Sequence, residues 1–151
     1  MREKLLISAC LLGERCRYDG GGNFVPEAGD LAARYELIPV CPEQLGGLPT
    51  PRAPSERVGE RVLSRTGADV TEAFCQGAQR ALAIARERGA TLALLKERSP
   101  SCGCHAVYDG TFTGRVVPGQ GVTAELLAAN GLRLYSEEQI ALLSSEKPAD
   151  Q

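Results

Sequence analysis

Three short apolar runs, each followed by a cysteine, constrain the fold of this chain more than any other feature. Each run has the length and composition of a buried strand. The runs and their cysteines are residues 4–9 with Cys10, residues 36–40 with Cys41, and residues 91–95 with Cys102 after a polar segment. If these strands are parallel neighbours, their carboxyl ends share one edge of the sheet, where open α/β sheets bind ligands. Three thiols in one crevice suggest a soft-metal or iron–sulfur site rather than a set of disulfides.

The segments between these runs predict alternating strands and helices. The clearest helix is residues 70–88, with an apolar face of Phe74, Ala78, Leu82 and Ala85 and with Gly89 as its left-handed stop. Asp69 is the predicted N-cap, in a capping box with Glu72. Further predictions are helices at 26–35 and 123–129, a fourth strand at 132–134, an irregular loop at 41–59, a short edge strand at 61–64 and a last helix capped by Ser136 and Gln139. This order implies right-handed crossovers and a parallel sheet.

The length of the chain, 151 residues, suits one domain with a single core. Tryptophan is absent and aromatic residues make up only 5%, so the core must be aliphatic. We therefore expect one three-layer, Rossmann-like α/β domain over residues 1–145, with a mainly parallel sheet of about four to five strands. Residues 146–151 are expected to form a disordered tail.

The charge and hydropathy of the chain limit the binding partners and the cellular compartment that we expect. With 17 basic and 19 acidic residues the net charge is −2, which disfavours a nucleic-acid duplex and favours a small-molecule ligand. No apolar stretch approaches the roughly 20 residues that span a membrane, and the N-terminus lacks the pattern of a signal peptide. We expect a cytoplasmic protein, where six cysteines indicate metal binding or catalysis rather than disulfides.

The three strand-end thiols predict a particular kind of centre. A [4Fe–4S] cluster normally takes four thiolates, so three protein ligands leave one iron open to substrate or water, where it acts as a Lewis acid. Glu43, two residues after Cys41, is placed to move protons for a bound water. Ser99 and Ser101 precede Cys102, and either hydroxyl could orient substrate or water. Cations that could hold anionic or carbonyl groups nearby are Arg17, Arg52 and Lys96.

The other three cysteines leave alternatives open. Cys75 lies in the middle of the predicted helix and is expected in the core, whereas Cys16 lies in a glycine-rich loop and could approach the site. Cys102, Cys104 and His105 could instead form a non-catalytic zinc or iron–sulfur module, although their spacing lacks the usual gap between zinc thiolates. A third possibility is a metal-free thiol enzyme, for which the single histidine gives few options.

Nine motifs follow one another between about Leu5 and Glu137: Ser8–Gly13, Arg17–Gly20, Pro39–Glu43, Gly46–Leu48, Pro51–Arg52, Gly67–Thr71, Leu95–Lys96, Ser99–Gly103 and Tyr108–Phe112. In this order they resemble a bacterial family whose studied members are thiouracil desulfidases.

The resemblance implies a [4Fe–4S] cluster held by Cys10, Cys41 and Cys102. It also implies a catalytic glutamate at Glu43 and a catalytic serine in the Ser-Pro-Ser-Cys motif, either Ser99 or Ser101. The expected reaction is non-redox: the sulfur of a thiolated pyrimidine such as 2-thiouracil binds the open iron, water attacks the carbon, and uracil and sulfide are released. A small thiolated nucleobase is therefore the expected partner.

Overall fold

The computed structural model describes residues 2–145, which form eight strands and five α-helices. The strands are β1 Glu3–Ser8, β2 Tyr35–Val40, β3 Ser55–Val58, β4 Arg61–Ser64, β5 Leu92–Leu95, β6 Ala106–Tyr108, β7 Val116–Pro118 and β8 Arg133–Ser136. The helices are α1 Pro26–Asp30, α2 Pro42–Leu45, α3 Thr71–Arg88, α4 Val122–Ala129 and α5 Ile140–Ser145, with 3-10 turns at Ala9–Leu12, Leu31–Ala33 and Glu137–Gln139.

Four strands form one parallel sheet in the order β2-β1-β5-β8, which confirms the predicted parallel α/β fold. The three apolar runs that precede the cysteines are the neighbouring strands β2, β1 and β5. Ser8, the last residue of β1, pairs with Val40, the last residue of β2. Since parallel strands end on the same edge, the residues after β1, β2 and β5 all emerge on one side of the sheet.

Alternating side chains of β1 and β5 fill two cores, one on each face of the sheet. Leu5 and Ile7 of β1 pack in a cluster with residues of α1 and α5, whereas Leu6 packs in a second cluster with residues of α3 and α4. β5 alternates in the same way, with Leu94 in the first cluster and Leu95 in the second. Helices on both faces confirm the predicted three layers.

The structure corrects the prediction for residues 41–59. This proline-rich segment is not one irregular loop, because it contains α2 and β3. The predicted edge strand at 61–64 does form, as β4, but it pairs with β3 in a separate antiparallel hairpin. A second hairpin, of β6 and β7, was not predicted. The helix expected at 26–35 ends earlier, because Tyr35 already belongs to β2.

The ends of the helices confirm some predicted caps and correct others. α3 begins at Thr71 with Val70 as N-cap and no side-chain cap, so the predicted capping box of Asp69 and Glu72 is wrong. Asp69 Oδ1 instead accepts bonds from the backbone N–H and the hydroxyl of Thr71. Gly89 ends the helix with φ 76°, as predicted. The capping box of Ser136 and Gln139 is present as predicted.

Two further expectations bear on membranes and on the C-terminus. Within residues 2–145 no helix has the length and apolar character needed to cross a bilayer. The disordered tail predicted for residues 146–151 lies outside the described residues.

Candidate functional site

The three strand-end cysteines line one cavity of about 450 Å³ at the carboxyl edge of the sheet. Cys10 and Cys102 are buried in its wall, and Cys41 is partly exposed. Glu43 and Ser99 line the same cavity, but Ser101 does not. The volume lies in the range of small-molecule sites.

The 3-10 turn after β1 and the helix α2 after β2 position the first two thiols. Cys10 lies in the 3-10 turn that follows β1, and its carbonyl accepts a bond of 2.9 Å from the N–H of Asn23. Cys41 is the residue between β2 and α2, and its carbonyl accepts a bond of 2.9 Å from the N–H of Leu45. The backbone of each cysteine is therefore held by local hydrogen bonds as well as by the sheet.

The side chains of Ser99 and Glu97, which follow β5 at the carboxyl edge of the sheet, hold the loop that carries Cys102. Ser99 Oγ accepts bonds from the N–H groups of Ser101 and Cys102, at 3.1 and 3.0 Å. Glu97 is buried, and its Oε1 accepts bonds of 2.8, 2.9 and 3.1 Å from three successive backbone N–H groups, those of residues 104, 105 and 106. These bonds fix the backbone on both sides of the Cys102 thiol.

Close packing at two glycines, Gly77 of α3 and Gly46 after α2, positions α2 and with it Cys41 and Glu43. A Cβ atom on Gly77 of α3 would lie 1.9 Å from the carbonyl oxygen of Pro42, and one on Gly46 would lie 2.0 Å from that of Ala73. No side chain fits at such distances, so α2 packs directly against the α3 backbone. This close packing sets the depth of Glu43 at the cavity.

A fourth thiol, Cys16, lies among the predicted ligands. It is buried and lines the same cavity as Cys10 and Cys41. Cys41 Sγ also lies 3.8 Å from the carbonyl oxygen of Cys16. The sequence left the position of Cys16 open, and the structure brings it to the cavity.

Cys75 and Cys104 do not line the cavity. Cys75 is exposed on α3, so its expected place in the core is wrong, because the buried stripe of that helix passes through Phe74 and Ala78 instead. Cys104 is buried, and its Sγ lies 3.5 Å from the carbonyl oxygen of Tyr135.

The cavity thiols differ in acidity, which decides which of them are readily available as thiolates. Hydrogen bonding from Cys16 lowers the pKa of Cys41 to about 7, against the opposing effect of burial. The same neighbour lowers the pKa of Cys10 from its usual value. Burial raises the pKa of Cys102 to about 12, and hydrogen bonds to Cys10 and Cys41 raise that of Cys16. Two of the three predicted ligands are therefore predisposed to ionise, as metal ligation requires.

Glu43 forms an ion pair with Arg52 at the cavity wall. The two side chains are 17% and 8% exposed, and Arg52 Nη2 lies 2.9 Å from Glu43 Oε1. Burial raises the pKa of Glu43, and Arg52 opposes that effect through its charge and its hydrogen bond. A carboxylate with a raised pKa beside a cavity holds a proton more readily than a solvated one and is a candidate for proton transfer.

The two candidate serines occupy different surroundings. Ser99 is partly buried and lines the cavity, and because its oxygen already accepts two N–H bonds, its hydroxyl proton is the group it can offer to a ligand. Ser101 is 1% exposed, and its hydroxyl bonds to that of Thr123 at 2.7 Å. The cavity therefore contains Ser99, while Ser101 joins its loop to α4.

The cations expected near the site all line the cavity, and each has a protein partner. Arg17 pairs with Asp19 at 3.1 Å, and Lys96 pairs with Glu137 at 3.0 Å. Arg52 pairs with Glu43, as described above. These three side chains therefore form ion pairs within the cavity wall.

Two further buried carboxylates line the cavity: Glu56, for which the sequence favours an ordinary solvated loop glutamate, and Glu97, which the sequence analysis missed. Glu56 accepts bonds of 2.9 and 3.1 Å from the N–H groups of Gly110 and Phe112. Glu97 lies two residues after the end of β5, so its position at the carboxyl edge was a signal that could have identified it.

The alternative zinc site at Cys102, Cys104 and His105 does not assemble. The Cys104 thiol faces Tyr135, and His105 Nδ1 lies 2.9 Å from Glu97 Oε2. In the described part of the chain, no group of three or more His, Cys, Asp or Glu residues is arranged to hold a single metal ion. A cluster differs from a single ion because each thiolate binds a different iron, so its ligands do not have to converge on one point.

Comparisons with known proteins agree with this architecture. The model of the 2-thiouracil desulfurase family matches residues 5–139. The uncharacterized protein YbbK of Bacillus subtilis (strain 168) is 40% identical over 146 residues, which cover 90% of this chain and 97% of YbbK. The solved structure of TudS, described as a [4Fe-4S]-dependent thiouracil desulfidase, superposes with a TM-score of 0.90 at 44% identity, covering 95% of this chain and 96% of TudS. The chain therefore belongs to the 2-thiouracil desulfurase family.

Proposed function

We propose that this protein hydrolyses thiolated pyrimidines, converting 2-thiouracil and water into uracil and hydrogen sulfide. The C=S bond is replaced by a C=O bond, and no electrons are gained or lost. One observation carries the proposal: thiols from three separate strand ends line one cavity together with the partly buried carboxylate of Glu43. Membership of the 2-thiouracil desulfurase family and the likeness to TudS, a thiouracil desulfidase, support the choice of substrate.

The donor atoms of the cavity suit an iron–sulfur cluster. Thiolates are the ligands that iron–sulfur clusters require, and Cys10, Cys41 and Cys102 would hold it. The lowered pKa values of Cys10 and Cys41 favour ligation, and TudS is described as [4Fe-4S]-dependent. With three protein ligands, a bound cluster supplies one open iron that acts as a Lewis acid toward the thiocarbonyl sulfur.

Glu43 is the proposed general base. Its carboxylate takes a proton from the water that attacks the thiocarbonyl carbon, and later returns a proton to the departing sulfide. Burial raises its pKa and so strengthens the carboxylate as a proton acceptor, while Arg52 opposes that effect. Placement on α2, two residues after Cys41, keeps this carboxylate beside the predicted ligand.

Ser99 is the proposed catalytic serine, because it lines the cavity whereas Ser101 is bonded to Thr123. Its hydroxyl can donate to the pyrimidine ring and so orient the base with its thiocarbonyl carbon toward the attacking water. The two backbone N–H bonds to its oxygen hold that hydroxyl in place.

Anaerobic purification followed by iron and sulfide reconstitution tests the proposal. We expect a brown protein that releases uracil and sulfide from 2-thiouracil in equal amounts, and Glu43→Gln should abolish most of that turnover. The matched control is Cys75→Ser, because Cys75 is exposed and lies outside the cavity. A colourless protein with stoichiometric zinc, or a brown protein without turnover, contradicts the proposed function.

A further inference from the structure

Arg52 makes an unusually complete set of contacts for a cavity side chain. Its Nε and Nη2 atoms lie 3.0 and 2.9 Å from the same oxygen, Glu43 Oε1. Nη2 also donates to the carbonyl of Cys16 at 2.9 Å, and Nη1 donates to the carbonyl of Pro49 and the hydroxyl of Thr50 at 3.1 and 3.0 Å. With its side chain 8% exposed, the guanidinium has little freedom to move.

These contacts join two parts of the cavity wall, the loop after β1 and the segment of α2. The backbone N–H of Arg52 donates to the carbonyl of Tyr18 at 2.6 Å, so its own segment is attached to the loop after β1. From there the side chain reaches α2, which carries Glu43. The carbonyl of Cys16 lies between them and is also approached by the Cys41 thiol. Arg52 thus ties the loop of Cys16 to the helix of Glu43.

The geometry also distinguishes the two oxygens of the Glu43 carboxylate. Arg52 Nε donates to Oε1, and Nη2 lies 2.9 Å from the same atom, so the guanidinium charge is held against Oε1. Oε2 is then the oxygen left to face the reacting water. Lysine cannot reproduce this arrangement, because an ammonium lacks the planar fork that serves the carboxylate and the Cys16 carbonyl together.

We infer that Arg52 is a positioning residue for the desulfuration reaction: its guanidinium holds Glu43 Oε1 and the Cys16 carbonyl so that Glu43 Oε2 faces the reacting water. This inference rests on the proposed function of the same cavity. Arg52 acts through Glu43 and need not touch the substrate. Its loss should therefore lower kcat and leave KM and the iron content nearly unchanged.

The test compares Arg52→Ala, Arg52→Lys, Glu43→Gln and the double variant, all reconstituted without air. We expect Arg52→Ala to lower kcat by roughly 10- to 100-fold, the usual effect of removing a residue that orients a group at a metal site. Arg52→Lys should recover only part of that loss. In the Glu43→Gln background, Arg52→Ala should cost nothing further. The matched control is Arg88→Ala, which removes an arginine from an exposed pair with Glu36, 3.0 Å apart.

Free guanidinium adds a readout that a general loss of structure would not give. It should restore part of the turnover of Arg52→Ala and none of that of Glu43→Gln. Additive losses in the double variant, a rise confined to KM, or loss of iron from Arg52→Ala would each overturn the inference. Wild-type turnover tests the proposed function separately. Crystal structures of the wild-type and Arg52→Ala holoenzymes need no turnover, and an unmoved Glu43 carboxylate would also overturn the role of Arg52.

Discussion

Substituting alanine for Gly77 tests how the site is positioned. Gly77 is buried in α3, and its added methyl group would lie 1.9 Å from the carbonyl oxygen and 2.8 Å from the carbonyl carbon of Pro42. Both atoms belong to the backbone of α2, so no side-chain rotation can relieve the contact. The only relief is to move α2 away from α3, which displaces Glu43 from the cavity.

Overpacking a core usually costs about 1–3 kcal/mol, and a clash between two backbones belongs at the upper end of that range. We therefore expect Gly77→Ala to lower the free energy of unfolding by about 3 kcal/mol. Gly29 in α1 is the matched control, because nothing lies within 4 Å of the position that an added Cβ would occupy and its φ is not in the left-handed region. There, alanine should raise stability by about 0.5 kcal/mol, since it replaces the more flexible glycine in a helix.

Urea unfolding of the reduced, metal-free variants, followed by circular dichroism, measures this difference. The midpoint should fall for Gly77→Ala and rise slightly for Gly29→Ala, with similar slopes if both unfold in two states. Reconstituted Gly77→Ala should also lose turnover, because Glu43 no longer faces the cavity. If Gly77→Ala is as stable as the wild type, or if the two variants lose stability equally, the close packing of α2 on α3 is refuted.

Three further predictions use the cavity thiols, the buried carboxylate and the serines. In the reduced, cluster-free protein, iodoacetamide should label Cys41 faster as the pH rises through about 7, whereas Cys102, with a pKa of about 12, should stay unlabelled. Equal labelling of the two cysteines, measured by peptide mapping, contradicts this prediction. Burial opposes ionisation of Glu97, but hydrogen bonds from its neighbours hold its pKa below the usual value. Its contribution to the free energy of unfolding is therefore fully present above pH ~4.3 and is lost as the pH falls through the folded-state pKa. Glu97→Gln should thus lower the free energy of unfolding by about 1–2 kcal/mol at pH 7 and reduce its dependence on pH below that point. Urea unfolding at several pH values that gives the wild-type result contradicts this prediction. Ser99→Ala should lower turnover, whereas Ser101→Ala should mainly lower the melting temperature, and the reverse pattern would assign catalysis to Ser101.

The sequence predicted the parallel sheet well because buried strands have a strong local signal. The runs before Cys10 and Cys41 are continuously or nearly continuously apolar, as strands covered by helices on both faces must be. The capping box of Ser136 was equally local and was found. Parallel strands then place their ends on one edge, so the meeting of the thiols at the cavity followed from the fold class alone.

What the sequence did not predict depends on contacts between distant segments. α2 is only four residues long, and it is stabilised by packing on Gly77 rather than by an apolar period of its own. The strand β4 was predicted, but β3, β6 and β7 were not, because strands of four and three residues are too short to show a period of two. Arg52 and Glu43 are separated by nine residues in a proline-rich segment, and their pairing is visible only after that segment folds.

Iron and acid-labile sulfide content, measured on protein kept from air, tests the central claim most directly. Cys10→Ser, Cys41→Ser and Cys102→Ser should each lose most of the iron and sulfide found in the wild type, and Cys75→Ser should retain the full amount of a [4Fe–4S] cluster. If the three cavity variants keep their iron and sulfide, or if the wild type binds neither, these thiols do not hold a cluster and the account is wrong.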